Sequence, residues 1–302
     1  MENNRIVIRQ AIENDMANKK YNPMNDVLFK FIFGKDERKQ VTIDFLNAVL
    51  NHKGGRVIKD IQFQNSEIVP FYDDDKLTRL DIFCVTEDGT QIDVEVQIVD
   101  KKNMERRTLF YWSQMYLMNL AKGGKYQNLK PAITINILRY KIFVDESVHS
   151  MYSIYNMENQ HRLNEDMEIH FLEVSKFHKK PVCQMSRMER WLAYFSNKLN
   201  QQEMEELAMS EAAIDATDVF MQDKSERLKY LNREMAILDY ESDKAYWIEE
   251  GEKRGLEKGR LEMLNSIVLS MLKNGQSTAE IAKNIGATES EIAKIAKENG
   301  IK

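Results

Sequence analysis

The chain has only two cysteines and four prolines in 302 residues, and no apolar run reaches the length of a membrane-spanning helix. Cys84 lies inside a hydrophobic stretch and Cys183 in a linker far from it, which excludes a disulfide framework and a thiolate zinc site. A bilayer crossing needs roughly 20 consecutive apolar residues. No apolar segment of the kind a secretory signal requires follows Met1-Glu2-Asn3-Asn4-Arg5. A cytoplasmic protein without a membrane association is expected. His149, His161, His170 and His178 do not recur on one helix or strand face, so no imidazole metal site is expected from them. A general excess of positive charge is also lacking: the net charge of −5 argues against a protein that coats nucleic acid indiscriminately.

At 43% hydrophobic and 30% charged residues, the chain can bury a substantial core and has room for two domains and a helical tail. Its charge is segregated. From Lys101 to Lys141 there are nine Lys or Arg against one acid, Glu105; from Glu203 to Glu262 there are seventeen acids against nine basic residues.

The segment from Leu80 to Ile98 carries the most chemistry. Leu80-Asp81-Ile82-Phe83-Cys84-Val85, a Glu87-Asp88-Gly89-Thr90 turn and Gln91-Ile92-Asp93-Val94-Glu95-Val96-Gln97-Ile98 read as a hairpin. In its second strand Asp93, Glu95 and Gln97 alternate with Ile92, Val94, Val96 and Ile98, so one face is apolar and the other holds carboxylates and a carboxamide. A two-residue Asp88-Gly89 loop would set Asp81 opposite Val96 and point it away from Glu95. A three-residue Glu87-Asp88-Gly89 loop, with Gly89 left-handed as in a bulge, instead sets Asp81 opposite Glu95 and diagonal to Gln97. The second register is expected. Its oxygen ligands suit Mg²⁺ or Mn²⁺, which lean on one or two carboxylates plus substrate phosphates, and the chemistry implied is phosphodiester hydrolysis. The same alternation also describes an antiparallel strand whose polar face simply meets water. Asp93, on the Glu95 face, reads as a surface residue or one behind the ligands.

The order Asp, hairpin, Glu-x-Gln resembles the PD-(D/E)XK nuclease motif in a form with Gln in place of the usual Lys. The wider chain is similar to the Rpn family of recombination-promoting nucleases, also described as PD-(D/E)XK family transposases. The likeness includes Tyr21-Asn22-Pro23, the run Asn25-Asp26-Val27-Leu28-Phe29-Lys30-Phe31-Ile32-Phe33-Gly34, and Arg106-Arg107, Tyr111, Tyr116, Gly123-Gly124, Tyr126, Pro131 and the strand Ile133 to Leu138. It spans about residues 20 to 180, with further similarity in the charged C-terminal helix.

The resemblance implies that Asp81 and Glu95 are metal ligands, that the Val96 carbonyl completes the set, and that Gln97 stands at the Lys position. A carboxamide can orient water or a phosphate oxygen but is not a cation. Asp26 is a further candidate ligand, although Asn25-Asp26 equally suits a helix N-cap. Lys101, Lys102, Arg106 and Arg107 follow the site directly and are candidates for salt-sensitive DNA phosphate contact, or alternatively a solvated helix start. Leu109, Trp112, Tyr116, Leu117, Leu120 and Ala121 recur at helical spacing and should pack on the sheet.

Toward the C-terminus, residues Met167 to Val174 read as a strand and Pro181-Val182-Cys183-Gln184 as a boundary. The stretch from about Ser186 to Leu264 is nearly continuous helix former without proline. Gly251, Gly255 and Gly259 would line one helix face, either a self-association surface or a charged connector. Ser277-x-x-Glu280 and Thr288-x-x-Glu291 each have capping-box spacing around Gly286, resembling a helix-turn-helix that contacts either DNA or protein. The expected organisation is therefore an α/β, restriction-endonuclease-like domain over residues 1–180, a mixed, mainly antiparallel sheet flanked by helices. An acidic helical region (181–265) and a small helix-turn-helix-like unit (266–302) follow. The expected function is a metal-dependent DNA endonuclease; the resemblance adds recombination, mobile elements or phage defence. The rivals are a non-catalytic DNA- or protein-binding module on a nuclease scaffold and a hydrolase of small phosphate esters. Homo-oligomers through the C-terminal helices are expected.

Overall fold

The hairpin forms with the three-residue loop. Strands β4 (Ile82–Thr86) and β5 (Gln91–Gln97) are antiparallel, with Ile82 opposite Val94 and Val85 opposite Gln91. At the tip, Gly89 N–H donates to the Thr86 carbonyl (3.0 Å) and Gly89 has φ +90°, the left-handed conformation of a bulge. Asp88 Oδ1 fixes the loop by accepting from the Thr86 hydroxyl (2.5 Å) and the Thr90 N–H (3.1 Å). An alanine at position 89 would keep an L-residue in that conformation with its Cβ 3.2 Å from the Lys130 side chain. Gly89→Ala is expected to cost about 1–2 kcal/mol and lower the thermal midpoint by roughly 2–6 °C, as a calorimetric scan would show.

These coordinates, a computed structural model, describe residues 2–18, 20–51, 57–68, 78–120, 123–207 and 211–301. The hairpin is the centre of a six-stranded sheet. It is joined by β1 (Ile61–Phe63), β6 (Ala132–Leu138), β7 (His149–Tyr152) and β8 (Met167–Glu173), in the order β1-β4-β5-β6-β8-β7. Pairings β5–β6 and β6–β8 are parallel and the other three antiparallel. A separate short pair, β2 (Glu67–Ile68) and β3 (Thr78–Arg79), precedes the hairpin. The β5–β6 link is parallel, so it needs a crossover, and α4 (Met104–Met118) supplies it on the carboxylate side of the sheet.

That side decides which face α4 buries. Met104, Thr108 and Met115 are buried, and half-buried Trp112 donates from its indole N–H to the Ala132 carbonyl (2.8 Å) while stacking on Tyr116. Leu109 and Leu117, expected inward, are 49% and 57% exposed. The face turned to the sheet is mixed: Met115, Trp112 and Tyr116 pack with Leu80, Phe83 and Ala132, and Thr108 meets the Thr134 hydroxyl at 3.0 Å. Leu120 is half-buried, and Ala121 lies outside the described residues.

The other face of the sheet is covered by α2 (Asp26–Phe33), α3 (Lys39–Leu50) and α5 (Arg187–Ser196) around an aromatic cluster, in which the Phe33 ring lies 4.7 Å from Phe29, 5.5 Å from Trp191 and 5.8 Å from Phe45. Helix α1 (Glu2–Ala17) contributes Ile12 to this core; α6 (Gln201–Glu205) follows α5, and α7 (Glu211–Gln222) packs Phe220 against Phe31. The 50-residue α8 (Lys224–Lys273) adds Tyr230 and Leu231. Helices assigned by sequence to a region beyond residue 180 thus complete the first core. The compact units are Met1–Leu238 and Asp239–Lys302, because large apolar side chains such as Trp191 and Phe195 need the sheet to bury them.

The second unit has its own core, Val268 with Ile281, Ile292 and Ile295. Its helices α9 (Thr278–Ile285) and α10 (Glu289–Glu298) both begin in capping boxes, on Ser277 with Glu280 and Thr288 with Glu291, and Gly286 ends α9 at φ +68°. Nothing lies within 4 Å of where a Cβ would stand on Gly251, Gly255 or Gly259. Among the described residues no helix is long and apolar enough to cross a membrane.

Candidate active site

Two carboxylates lock the open end of the hairpin. Asp81, the residue before β4, accepts the Val96 N–H on Oδ2 (3.0 Å), and Glu95 accepts the Asp81 N–H on Oε1 (2.9 Å). This reciprocal lacing replaces the ladder where β4 ends. It turns the backbone of Val96 toward Asp81, and the carbonyl of a strand residue shares the edge of its N–H. Gln97 follows on the Glu95 face, its amide 3.4 Å from Glu95 Oε2.

Two cations close on these acids from different helices. Helix α2 starts on Asn25, whose Oδ1 accepts from the Val27 and Leu28 N–H groups. It buries Leu28, Phe29, Ile32 and Phe33, which leaves Lys30 on the other face, and the Lys30 Nζ reaches Asp81 Oδ1 at 2.9 Å. From α4, an Arg107 terminal nitrogen donates to Glu95 Oε2 (2.7 Å) while Nε donates to the Tyr111 hydroxyl (2.9 Å) and the guanidinium lies 4.9 Å from the Tyr111 ring centre. Each of the four carboxylate oxygens therefore has a partner.

Burial is severe here. Glu95 is fully buried, and desolvation, followed by the nearby charge of Asp81, pushes its carboxyl up to about 8 despite Arg107. Asp93 is also fully buried, so it is not the surface residue the sequence allowed: it points at α4, between β4 and β6, where no water reaches. Neither of its carboxylate oxygens meets a hydrogen-bond partner among the described residues. Burial first, then Glu95 and Asp81, hold Asp93 well above the usual carboxylate range. Beside it, Asn136 donates to Thr108 (3.0 Å) and to the His170 carbonyl (3.0 Å), leaving its own carbonyl oxygen without a partner.

The site thus brings together Asp81, Glu95, Val96, Gln97 and Arg107. Asp26 is held by Arg233 at 2.7 Å, with Asn25 acting as the helix cap. Lys101 and Arg106 are exposed at the start of α4, and Lys102 pairs with Asp100 (2.5 Å). Sequence spacing did not single out Lys30 as a partner of Asp81, since that contact joins residues about fifty apart through tertiary packing. Among the described residues no three Asp, Glu, His or Cys side chains converge as a ready-made metal cage.

A family profile described as PD-(D/E)XK nuclease family transposase matches residues 23–250. The chain belongs to this family. Comparison with curated proteins and with solved structures gave no significant match. Membership carries a nuclease- or transposase-like function, with DNA as substrate and, in the family at large, divalent metal chemistry. The matched span includes Lys30, Asp81, Glu95, Gln97 and Arg107 and ends before α9 and α10.

Proposed function

We propose that this protein is a metal-dependent DNA endonuclease that hydrolyses phosphodiester bonds at the open end of the β4–β5 hairpin. The observation that carries the reading is the reciprocal lacing of Asp81 and Glu95, which fixes two hard oxygen ligands side by side at the place where the strands part. The donor set fits Mg²⁺ or Mn²⁺: carboxylates and a main-chain carbonyl suit hard cations that take few protein ligands. Asp81, Glu95 and the Val96 carbonyl would hold the ion. Bound there, it supplies Lewis acidity at the phosphate and lowers the pKa of a coordinated water.

The chain's own residues have distinct tasks. The Gln97 carboxamide can accept from a water and donate to a phosphate oxygen, which orients the nucleophile. The positive charge that the motif usually has at position 97 is supplied from α2 by Lys30, already beside Asp81. Lys101 and Arg106, exposed on the approach to the site, contact flanking phosphates. Asp26, tied to Arg233, supports the start of α2. The C-terminal unit mediates association between copies. Recombination, mobile elements or phage defence is the biological setting that goes with this reading.

Supercoiled plasmid incubated with the protein and Mg²⁺ or Mn²⁺ should be nicked or linearised, and EDTA should stop the reaction. A second reading has one observation in its favour. With all four carboxylate oxygens already satisfied by the protein, the same scaffold could serve as a DNA- or protein-binding module. Intact plasmid with either metal, alongside a retained gel shift, would select that reading.

A further inference from the structure

The cation site proposed above is sealed by the protein's own positive charges, and its two seals differ. Lys30 closes on Asp81 with 38% of its side chain exposed, and Asp81 itself reaches solvent at 12%. Glu95 is only 1% exposed, and Arg107 closes on its Oε2 at 2.7 Å. Arg107 is poised to leave. It is 27% exposed, and Tyr111, one helical turn further along α4, holds its Nε and stacks against its plane without using the other terminal nitrogen. A guanidinium presents five donors in a rigid fork that matches phosphate as well as carboxylate. Lys101 and Arg106, exposed at the start of α4, precede it in the chain, and a DNA backbone drawn to them comes near Arg107.

We propose that Arg107 exchanges partners, hydrogen-bonding Glu95 in the free protein and moving to a DNA phosphate in the complex, so that DNA opens the cation site and the two ligands bind cooperatively. This rests on the endonuclease reading and adds an order to it. DNA binding alone leaves buried Glu95 without the Arg107 hydrogen bond. Cation binding alone displaces Arg107 with no phosphate to receive it. When both are present each exchange is satisfied, and linkage requires the gain to be the same in either order. Tyr111 is a positioning residue that keeps the guanidinium between its two partners.

Ca²⁺ affinity of the full-length protein, measured by titration calorimetry with and without a saturating short DNA duplex, tests this, with duplex integrity checked on the same samples. In the wild type the duplex should tighten Ca²⁺ binding roughly tenfold. Arg107→Gln should bind Ca²⁺ more tightly than the wild type without DNA, and should lose the duplex-dependent gain. A bystander charge would move the first quantity and leave the second unchanged, so an equal gain in Arg107→Gln overturns the proposal. If Arg107→Gln does not fold, Tyr111→Phe decides, since it keeps the guanidinium but frees its Nε and is expected to reduce the duplex-dependent gain; a full gain there overturns the proposal. No Ca²⁺ binding by the wild type under either condition would overturn the cation site itself, and this inference with it.

Discussion

Asp81→Asn should reduce metal-dependent plasmid cleavage by about 10³-fold or more while leaving DNA binding in place. The amide oxygen can still accept the Val96 N–H at the position now held by Oδ2, so the lacing of the hairpin survives. What goes is the anionic charge, and with it both a hard metal ligand and the partner of Lys30. The thermal midpoint should change little, because the ion pair lost is partly exposed and such pairs contribute about 1 kcal/mol or less. Initial rates on supercoiled DNA, gel shift and calorimetry on one preparation check all three quantities. Cleavage by Asp81→Asn within tenfold of the wild type would remove Asp81 from the reaction and, with it, the endonuclease site as drawn.

Much of this arrangement was legible because strand periodicity is strict. Once Glu87-Asp88-Gly89 is read as a three-residue loop, the position of Asp81 beside Glu95 follows from counting, and Gly89 does take the left-handed conformation that this loop needs. The capping boxes at Ser277 and Thr288 were equally local. What depended on tertiary packing was not readable. Alternation places Asp93 on the polar face of β5 but does not say that α4 will cover that face, so it leaves a surface position and one behind the ligands both open, and the residue is fully buried. For the same reason the inward face of α4 is only partly legible: Trp112 and Tyr116 pack inward beside Leu80, Phe83, Met115 and Ala132, whereas Leu109 and Leu117 face outward. His149 and His170 offered no common spacing, yet their rings meet at 2.9 Å, N to N, because β7 runs antiparallel to β8. Helix boundaries near residue 181 pointed to a new region, whereas Trp191 and Phe195 finish the first core.

The largest stability effect expected is that Asp93→Asn raises the thermal midpoint of the cation-free protein at pH 8 and does almost nothing at pH 5. Both Asp93 and Glu95 have folded-state pKa values raised above their unfolded ones, the latter from 4.5 to about 8. Between those limits the folded protein holds protons that the unfolded chain has released. Stability from these groups is therefore complete below about pH 4 and declines as pH rises toward 8. The acid side has the opposite slope: burial lowers His149 to about 4, and Glu168 is held down to about 2, where its hydrogen bonds from His170 and Arg162 outweigh the cost of burial, so their contributions fade below pH 6.5 and 4.5 respectively. The cation-free protein should accordingly be most stable in mildly acid solution. At pH 5 the protonated Asp93 and an asparagine are close to isosteric, and the substitution is neutral. At pH 8 the wild type bears the cost of keeping that proton or of ionising a buried acid, and the amide bears neither. The amide also needs acceptors of its own, which offsets part of this, and a net rise in the midpoint at pH 8 is expected. Divalent cation added to the wild type at pH 8 should recover part of the same stability, since positive charge at Asp81 and Glu95 relieves the repulsion acting on Asp93. Midpoints measured from pH 5 to pH 8, with EDTA and with Mg²⁺, test the argument. A flat alkaline limb in the wild type, or an Asp93→Asn midpoint that follows the wild type throughout, would mean that Asp93 does not carry a buried, unpaired acid at all.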